Sequence, residues 1–291
     1  MKHTLGGRFD PTEPFPYFLA GSPERWARND QYPYPYVLVA VNECLTAKKQ
    51  ALLDKALDNP DCKLLLDSGI FNLANTHARR NGITMDQALT LPPDEIDGFE
   101  VLWDAYGYLA TRYADRLWGV IELDQGGKEH KPRTRARIET EFGIVPMPVF
   151  HPLLDGWDYY DSLVAEYDRI CVGNIVQAST TVRMRLLHAL HEHAHDHLTT
   201  WHHLLGYTPN ELLHSLPIHG SADSSSWLTG VRWMPSWKGF AAAKAVSNYP
   251  PPMWYESGQG GSFSKAEGVA FFNAVALGYG VSDFRSVRES L

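Results

Sequence analysis

The chain has 291 residues, 44% of them hydrophobic and 21% charged, which supplies one large, well-filled core and argues for a single domain over residues 1–291. Its formal charge of −8 rules out a globally basic surface, so a nucleic-acid partner would have to be held by a local patch. Only three cysteines occur, Cys44, Cys62 and Cys171, with neither a close pair nor a zinc-type spacing, so a reducing cytoplasm is expected rather than a disulfide framework.

Residues 1–35 are rich in proline and aromatics (Pro11, Pro14, Phe15 and Pro16, then Tyr32 to Pro35) and read as irregular chain packed over one end of the fold. No charged-then-apolar leader pattern opens the sequence and no apolar run reaches membrane length, so a soluble cytoplasmic protein with no membrane partner is expected. Apolar runs at 36–41, 63–67, 117–124, 145–151, 169–173, 200–205 and 216–222 predict strands. Helical periodicity at 45–58, 98–115, 133–142, 157–166 and 180–198 falls between most of them. This alternation implies an α/β fold with a parallel sheet, and its spacing fits a (β/α)8 TIM-type barrel with one strand unassigned. Pro250 to Pro252 and Gly258 to Gly261 mark late loops, and 264–277 reads as a C-terminal helical extension.

The most informative stretch is Asp67-Ser68-Gly69-Ile70-Phe71-Asn72, directly after the apolar Leu64-Leu65-Leu66. In parallel α/β folds the loops leaving the strands converge at the carboxyl edge, where chemistry collects. Other polar residues recur at expected strand ends: Asp124 before Gln125-Gly126-Gly127, His151 after Val149-Phe150, Gly173-Asn174 after Cys171-Val172, Leu205-Gly206 after Leu204, and Asp223 in Ser221-Ala222-Asp223-Ser224. A single aspartate after a strand is more often a helix N-cap than a catalyst. Their joint occurrence points to function, and two carboxylates on separate strand ends suit acid/base and nucleophilic work at a sugar carbon.

These motifs resemble those of the tRNA-guanine transglycosylases. Asp67 to Asn72 is similar to the family's Asp-Ser-Gly-x-Phe/Tyr-Gln, Ile170 to Ile175 to its glycine-rich guanine-binding loop, and His203 to Pro209 to Leu-Met-Gly-Val-Gly-x-Pro. Ala222 to Trp227 is similar to the archaeal nucleophile motif Phe-Asp-Ser-Ala-x-Tyr. The matches run in family order over about residues 36–235 and lie nearest the phage-type DNA-guanine transglycosylases, which insert 7-deazaguanines into DNA. The resemblance implies Asp223 as the nucleophile at C1′ and Asp67 as the general acid/base. It implies Phe71 and Leu205 on the two faces of the base, with Ser68 and Gly206 beside them. Asp124 would read the donor edge of guanine. His151, standing where the family has a glutamine, would contact the base carbonyl together with the backbone amides of Gly173 and Asn174. The implied partners are DNA, with tRNA as the alternative, and a 7-deazaguanine base.

Retention at the sugar requires two inversions, hence a covalent carboxylate intermediate, and the target base has to leave the stack. Two departures favour DNA over tRNA. No cysteine follows Cys171, so the family's Cys3His zinc site is absent from this sequence and no metal or cofactor is expected, and the archaeal RNA-binding domain is likewise expected to be lacking. Ser179 stands near the family's glutamate beside the 7-substituent, which favours the neutral nitrile base preQ0 over an aminomethyl cation.

The densest basic cluster, Lys128, Lys131, Arg133, Arg135 and Arg137, is expected to hold phosphates above the pocket, with Arg79, Arg80 and Arg232 as further candidates, although an ordinary solvated helix start is the competing reading. The run His188, His191, His193, His195, His197, His202 and His203 offers i,i+4 pairs that could ligate a metal, but a crowded solvated face is the favoured reading. A water-accepting barrel nucleosidase and a non-catalytic binding subunit are the alternative functions, the latter disfavoured by retention of both Asp67 and Asp223.

Overall fold

The structure, a computed structural model, describes residues 16–26, 36–60, 62–197, 199–207 and 220–225. It is a mixed α/β fold built on eight parallel strands, β1 (Tyr17–Ala20), β2 (Tyr36–Ala40), β3 (Lys63–Asp67), β4 (Gly119–Val120), β5 (Val149–Phe150), β6 (Arg169–Val172), β7 (Trp201–Leu204) and β8 (Gly220–Ser224). They form one curled sheet in the order β4-β3-β2-β1-β8-β7-β6-β5. The end strands β4 and β5 meet at a single Ile121–Met147 bridge. Beside it the Glu122 carboxylate accepts the Val149 amide at 2.6 Å, but no ladder joins the two end strands, so the sheet is a curled half-barrel rather than the closed barrel expected from the sequence.

A parallel sheet is buried on both faces, which is why Leu64, Leu65 and Leu66 are all fully enclosed. Alternation sends Leu65 into the curl with Phe18, Leu38, Trp118, Met147, Cys171 and Trp201. Leu64 and Leu66 face outward against α5 (Phe99–Tyr113), whose Trp103, Tyr106 and Leu109 share that layer. On the opposite wall Ile170, Val172 and Leu204 pack on α7 (Trp157–Glu166) and α8 (Thr180–Ala194). Each such aliphatic side chain contributes about 1.5–3 kcal/mol of burial.

Several sequence expectations change. The N-terminal segment is not wholly irregular: Tyr17–Ala20 is the strand missing from the alternation, and it hydrogen-bonds between β2 and β8. The expected strands 117–124 and 145–151 shorten to two residues each. The last strand moves to Gly220–Ser224, which puts Asp223 inside it rather than after it. The helix expected at 133–142 is α6 (Gly127–Phe142) and begins six residues earlier, with Pro132 inside it. Pro132 forfeits one i→i−4 bond, yet the helix runs through because Lys131 and Arg135 on either side are anchored in the core. Helices α3 (Ile70–Asn81) and α4 (Met85–Thr90) lie between the expected elements, and α2 (Ala47–Asp58) lies within the expected 45–58. The expected helix 264–277, the late loops and Arg232 lie outside the described residues.

Candidate active site

Strand β3 delivers Asp67 to the carboxyl edge of the sheet, in register with Ala40. It is not a helix cap. The N-cap of α3 is Gly69, which has φ 78° and caps without a side chain. A Cβ at Gly69 would stand 2.7 Å from the Asn42 side-chain oxygen, so this tight turn admits only glycine. The Asp67 carboxylate accepts the amides of Ser68 and Gly69, but burial and then the charges of Asp223 and Asp124 dominate and push its pKa from 3.8 up to about 7. Ser68 is fully buried, and its hydroxyl accepts the Ile70 amide at 3.4 Å. It supports Asp67 and does not line the cavity, which corrects its expected contact with the base. Phe71, in the first turn of α3, is 49% exposed and lines the cavity, so its ring is open to a ligand there.

Asp124 and His151 form the second cluster. His151 Nε2 lies 2.8 Å from Asp124 Oδ2, and its Nδ1 lies 3.3 Å from Lys131 Nζ. Both ring nitrogens are therefore occupied, and His151 has no donor left for a base carbonyl, contrary to its expected role. Burial opposes the charge on Asp124, but the His151 hydrogen bond and the Lys131 charge outweigh it and hold the carboxyl below its ordinary 3.8. Lys131, on α6, is fully buried; it donates to Asp155 Oδ2 at 2.7 Å and to the Val149 carbonyl at 3.1 Å. Asp155 Oδ2 also accepts the His151 amide at 2.7 Å. Gly173 runs so close to this ring that a Cβ there would stand 2.8 Å from His151 Cδ2. Its amide is spent on the Phe150 carbonyl at 2.9 Å, so it cannot serve a ligand as expected. Asn174 is the sole non-glycine residue at positive φ, 62°, among the described residues. Its side-chain oxygen is buried without a partner there, and strain of this kind collects at functional sites.

Asp223 is 5% exposed and is held by one oxygen. Its Oδ1 accepts the Gly206 amide at 2.8 Å and lies 3.2 Å from His203 Nε2. Gly206 thus serves the carboxylate with its backbone. Behind His203, Ser221 Oγ accepts the indole N–H of Trp201 at 2.8 Å and lies 2.8 Å from His203 Nδ1. A carboxylate only accepts, so the His203 proton sits on Nε2, facing Asp223, and the Ser221 hydroxyl, which accepts the Trp201 indole, has its own hydrogen to give Nδ1. With Oδ1 occupied twice, Oδ2 has no hydrogen-bond partner among the described residues.

These groups border one cavity of about 610 Å³, which includes Phe71, Leu205, Asn174, Gly173, His151 and the three aspartates. Glu43, just past the end of β2, lines it too, and burial raises its pKa against the pull of Lys49. No lysine or arginine lines it among the described residues. Its size and flat apolar contributors suit an uncharged heterocycle with a donor edge rather than a phosphate. Sequence reading missed Glu43, Asp155 and Ser221 as site components, whereas one of His202 and His203 was expected to face the interior beside the pocket, and His203 does. The strand-end rule applied to β2 would have found Glu43. The others act through partners far away in sequence.

The basic cluster is the main correction. Lys131 and Arg135 are buried, and Arg135 pairs with Glu122 at 2.8 Å and donates to the Tyr159 hydroxyl at 2.9 Å. Arg137 is paired with Glu100 and Glu141, and Lys128 with Asp158. Within the expected cluster, Arg133 alone is both exposed and without an ion pair among the described residues; Arg79 and Arg80 on α3 are also exposed. Ser179 is the N-cap of α8 and lies outside the cavity lining, where Val176 and Gln177 stand instead. In the histidine run, His193 stacks on Trp157 with centroids 4.1 Å apart, and His202 Nε2 meets the Tyr160 hydroxyl at 2.9 Å. Among the described residues no group of three His, Cys, Asp or Glu side chains could hold a metal, and no helix is long and apolar enough to cross a membrane. No protein-family model matches this sequence, and a search of curated proteins finds no match.

Proposed function

We propose that this chain is a (β/α)8-type base-exchange glycosyltransferase that replaces guanine in DNA with a 7-deazaguanine such as preQ0. The observation that carries the reading is the joint placement of three aspartates in distinct states on one cavity: Asp67 raised to about 7, Asp124 held ionised, and Asp223 gripped by one oxygen. Asp223 Oδ2 attacks C1′, and the C1′–N9 bond breaks with its electron pair passing to the base. Asp67 gives that base its proton. The incoming 7-deazaguanine then loses its N9 proton to Asp67, N9 attacks C1′, and the ester bond breaks to restore the Asp223 carboxylate. A pKa near neutrality suits Asp67 to both directions of transfer. Asp124 accepts the donor edge of the base while Phe71 and Leu205 cover its faces.

The test is incubation of purified protein with guanine-labelled DNA or tRNA and preQ0, following label release and nucleoside composition by mass spectrometry. Label release from DNA, with a 7-deazaguanine deoxynucleoside appearing, supports the reading. Release from tRNA alone moves the substrate and keeps the mechanism. Release without base incorporation makes the enzyme a nucleosidase, and release from neither polymer refutes the assigned chemistry.

A further inference from the structure

Lys131 stands out as a fully buried ammonium that the proposed reaction does not use. It donates to Asp155, to the Val149 carbonyl and to His151 Nδ1. An ammonium has three hydrogens and no lone pair, so all three are assigned and Nδ1 has to be the acceptor of one of them. A proton on Nδ1 would set two donors against each other at 3.3 Å. The ring hydrogen is therefore on Nε2, aimed at Asp124 Oδ2. Asp155 fixes the other end: its Oδ2 binds Lys131 and the His151 amide at 2.7 Å each.

We propose that the Lys131–Asp155 pair is a specificity-determining positioning unit that locks His151 as an Nε2–H donor and so keeps Asp124 an acceptor-only carboxylate. Asp124 Oδ2 is taken by the ring, and the carboxylate is left to meet a ligand that offers hydrogens. A purine edge with two adjacent donors, the ring N–H and an exocyclic amine, satisfies it. Hypoxanthine supplies one donor and adenine presents a bare ring nitrogen, which leaves a buried anion short of partners. The site is thereby restricted to guanine-type bases, natural or 7-deaza, by a residue that touches no substrate. The selectivity claim rests on the base-exchange reading; the tautomer assignment does not.

Two measurements separate them. In the first, 15N-histidine NMR of the full chain at neutral pH reads the His151 ring. The expected wild-type signature is a protonated Nε2 and an unprotonated Nδ1. Lys131→Met with Asp155→Asn keeps an acceptor for the His151 amide, avoids an unpaired buried charge, and should release Nδ1 to protonation. In the second, calorimetry measures binding of free guanine and hypoxanthine. Wild type should prefer guanine by roughly 10- to 100-fold, and the double variant, still folded by its melting curve, should fall to within roughly threefold. A wild-type ring carrying its proton on Nδ1 overturns the assignment and leaves base exchange standing. Unchanged selectivity in the variant overturns the role of the pair, as does a variant ring that keeps the wild-type signature. Wild-type protein that binds neither base refutes base exchange and the selectivity claim together.

Discussion

Replacing Asp67 with asparagine should inactivate the protein and stabilise it. Asp67 has its pKa raised from 3.8 to about 7 by burial and by the neighbouring charges of Asp223 and Asp124. At pH 8 the folded state has to carry that charge, whereas the unfolded chain carries it in water. At 1.36 kcal/mol per pH unit, a displacement of roughly three units amounts to about 4 kcal/mol. Asparagine removes the charge but offers one acceptor to the two amides of Ser68 and Gly69, which returns about 1 kcal/mol. The net gain is about 3 kcal/mol at pH 8. Because the folded pKa is the higher one, the wild-type penalty is absent below about pH 4, grows as the unfolded carboxyl ionises, and is complete once pH passes 7. Urea unfolding of both proteins at pH 4.5 and pH 8 therefore separates the curves strongly at pH 8 and weakly at pH 4.5. Equal stability at pH 8, or an equal gain at both pH values, would refute the claim that Asp67 is a strained carboxylate kept for chemistry.

Three single variants and one contrasted pair give further readouts. Asp223→Ala should abolish any covalent protein–nucleic acid adduct on denaturing gels, and an adduct that persists rejects Oδ2 as the nucleophile. Asp124→Asn should weaken guanine binding by roughly 10- to 100-fold with little change in melting; a collapse of melting would make Asp124 a structural acceptor for His151 instead. Gly173→Ala places a methyl 2.8 Å from His151 Cδ2 and should displace the ring, lowering base affinity roughly 10-fold or more, while wild-type affinity would show that the ring has room to move. Arg135→Met strands the buried Glu122 and should cost about 3–5 kcal/mol in urea unfolding. Lys128→Ala, which breaks an exposed pair with Asp158, should cost under about 1 kcal/mol. Similar costs for both would contradict the burial contrast.

How much was legible in the sequence depends on how local its determinants are. Runs such as Leu64 to Leu66 and Ile170 to Val172 announce strands because a doubly buried parallel strand is continuously apolar. The strand-end placement of Asp67, Asp124 and His151 followed directly, whereas Phe71 and Leu205 were paired only by the family resemblance, and both line the cavity. Tyr17–Ala20 escaped because four residues between Pro16 and Pro23 look like loop until β2 and β8 pair with them. Helix α3 escaped because its cap is Gly69, which carries no side-chain signal. The charged cluster on α6 misled for a deeper reason. Whether a lysine or arginine meets solvent or a buried carboxylate depends on partners such as Asp155 and Glu122, 24 and 13 residues away, that local composition does not report. Which residue types stand at the strand ends can be read along the chain. Their states cannot, because the pKa of Asp67, the tautomer of His151 and the single-oxygen grip on Asp223 are set by groups that folding alone brings within hydrogen-bonding or Coulombic range.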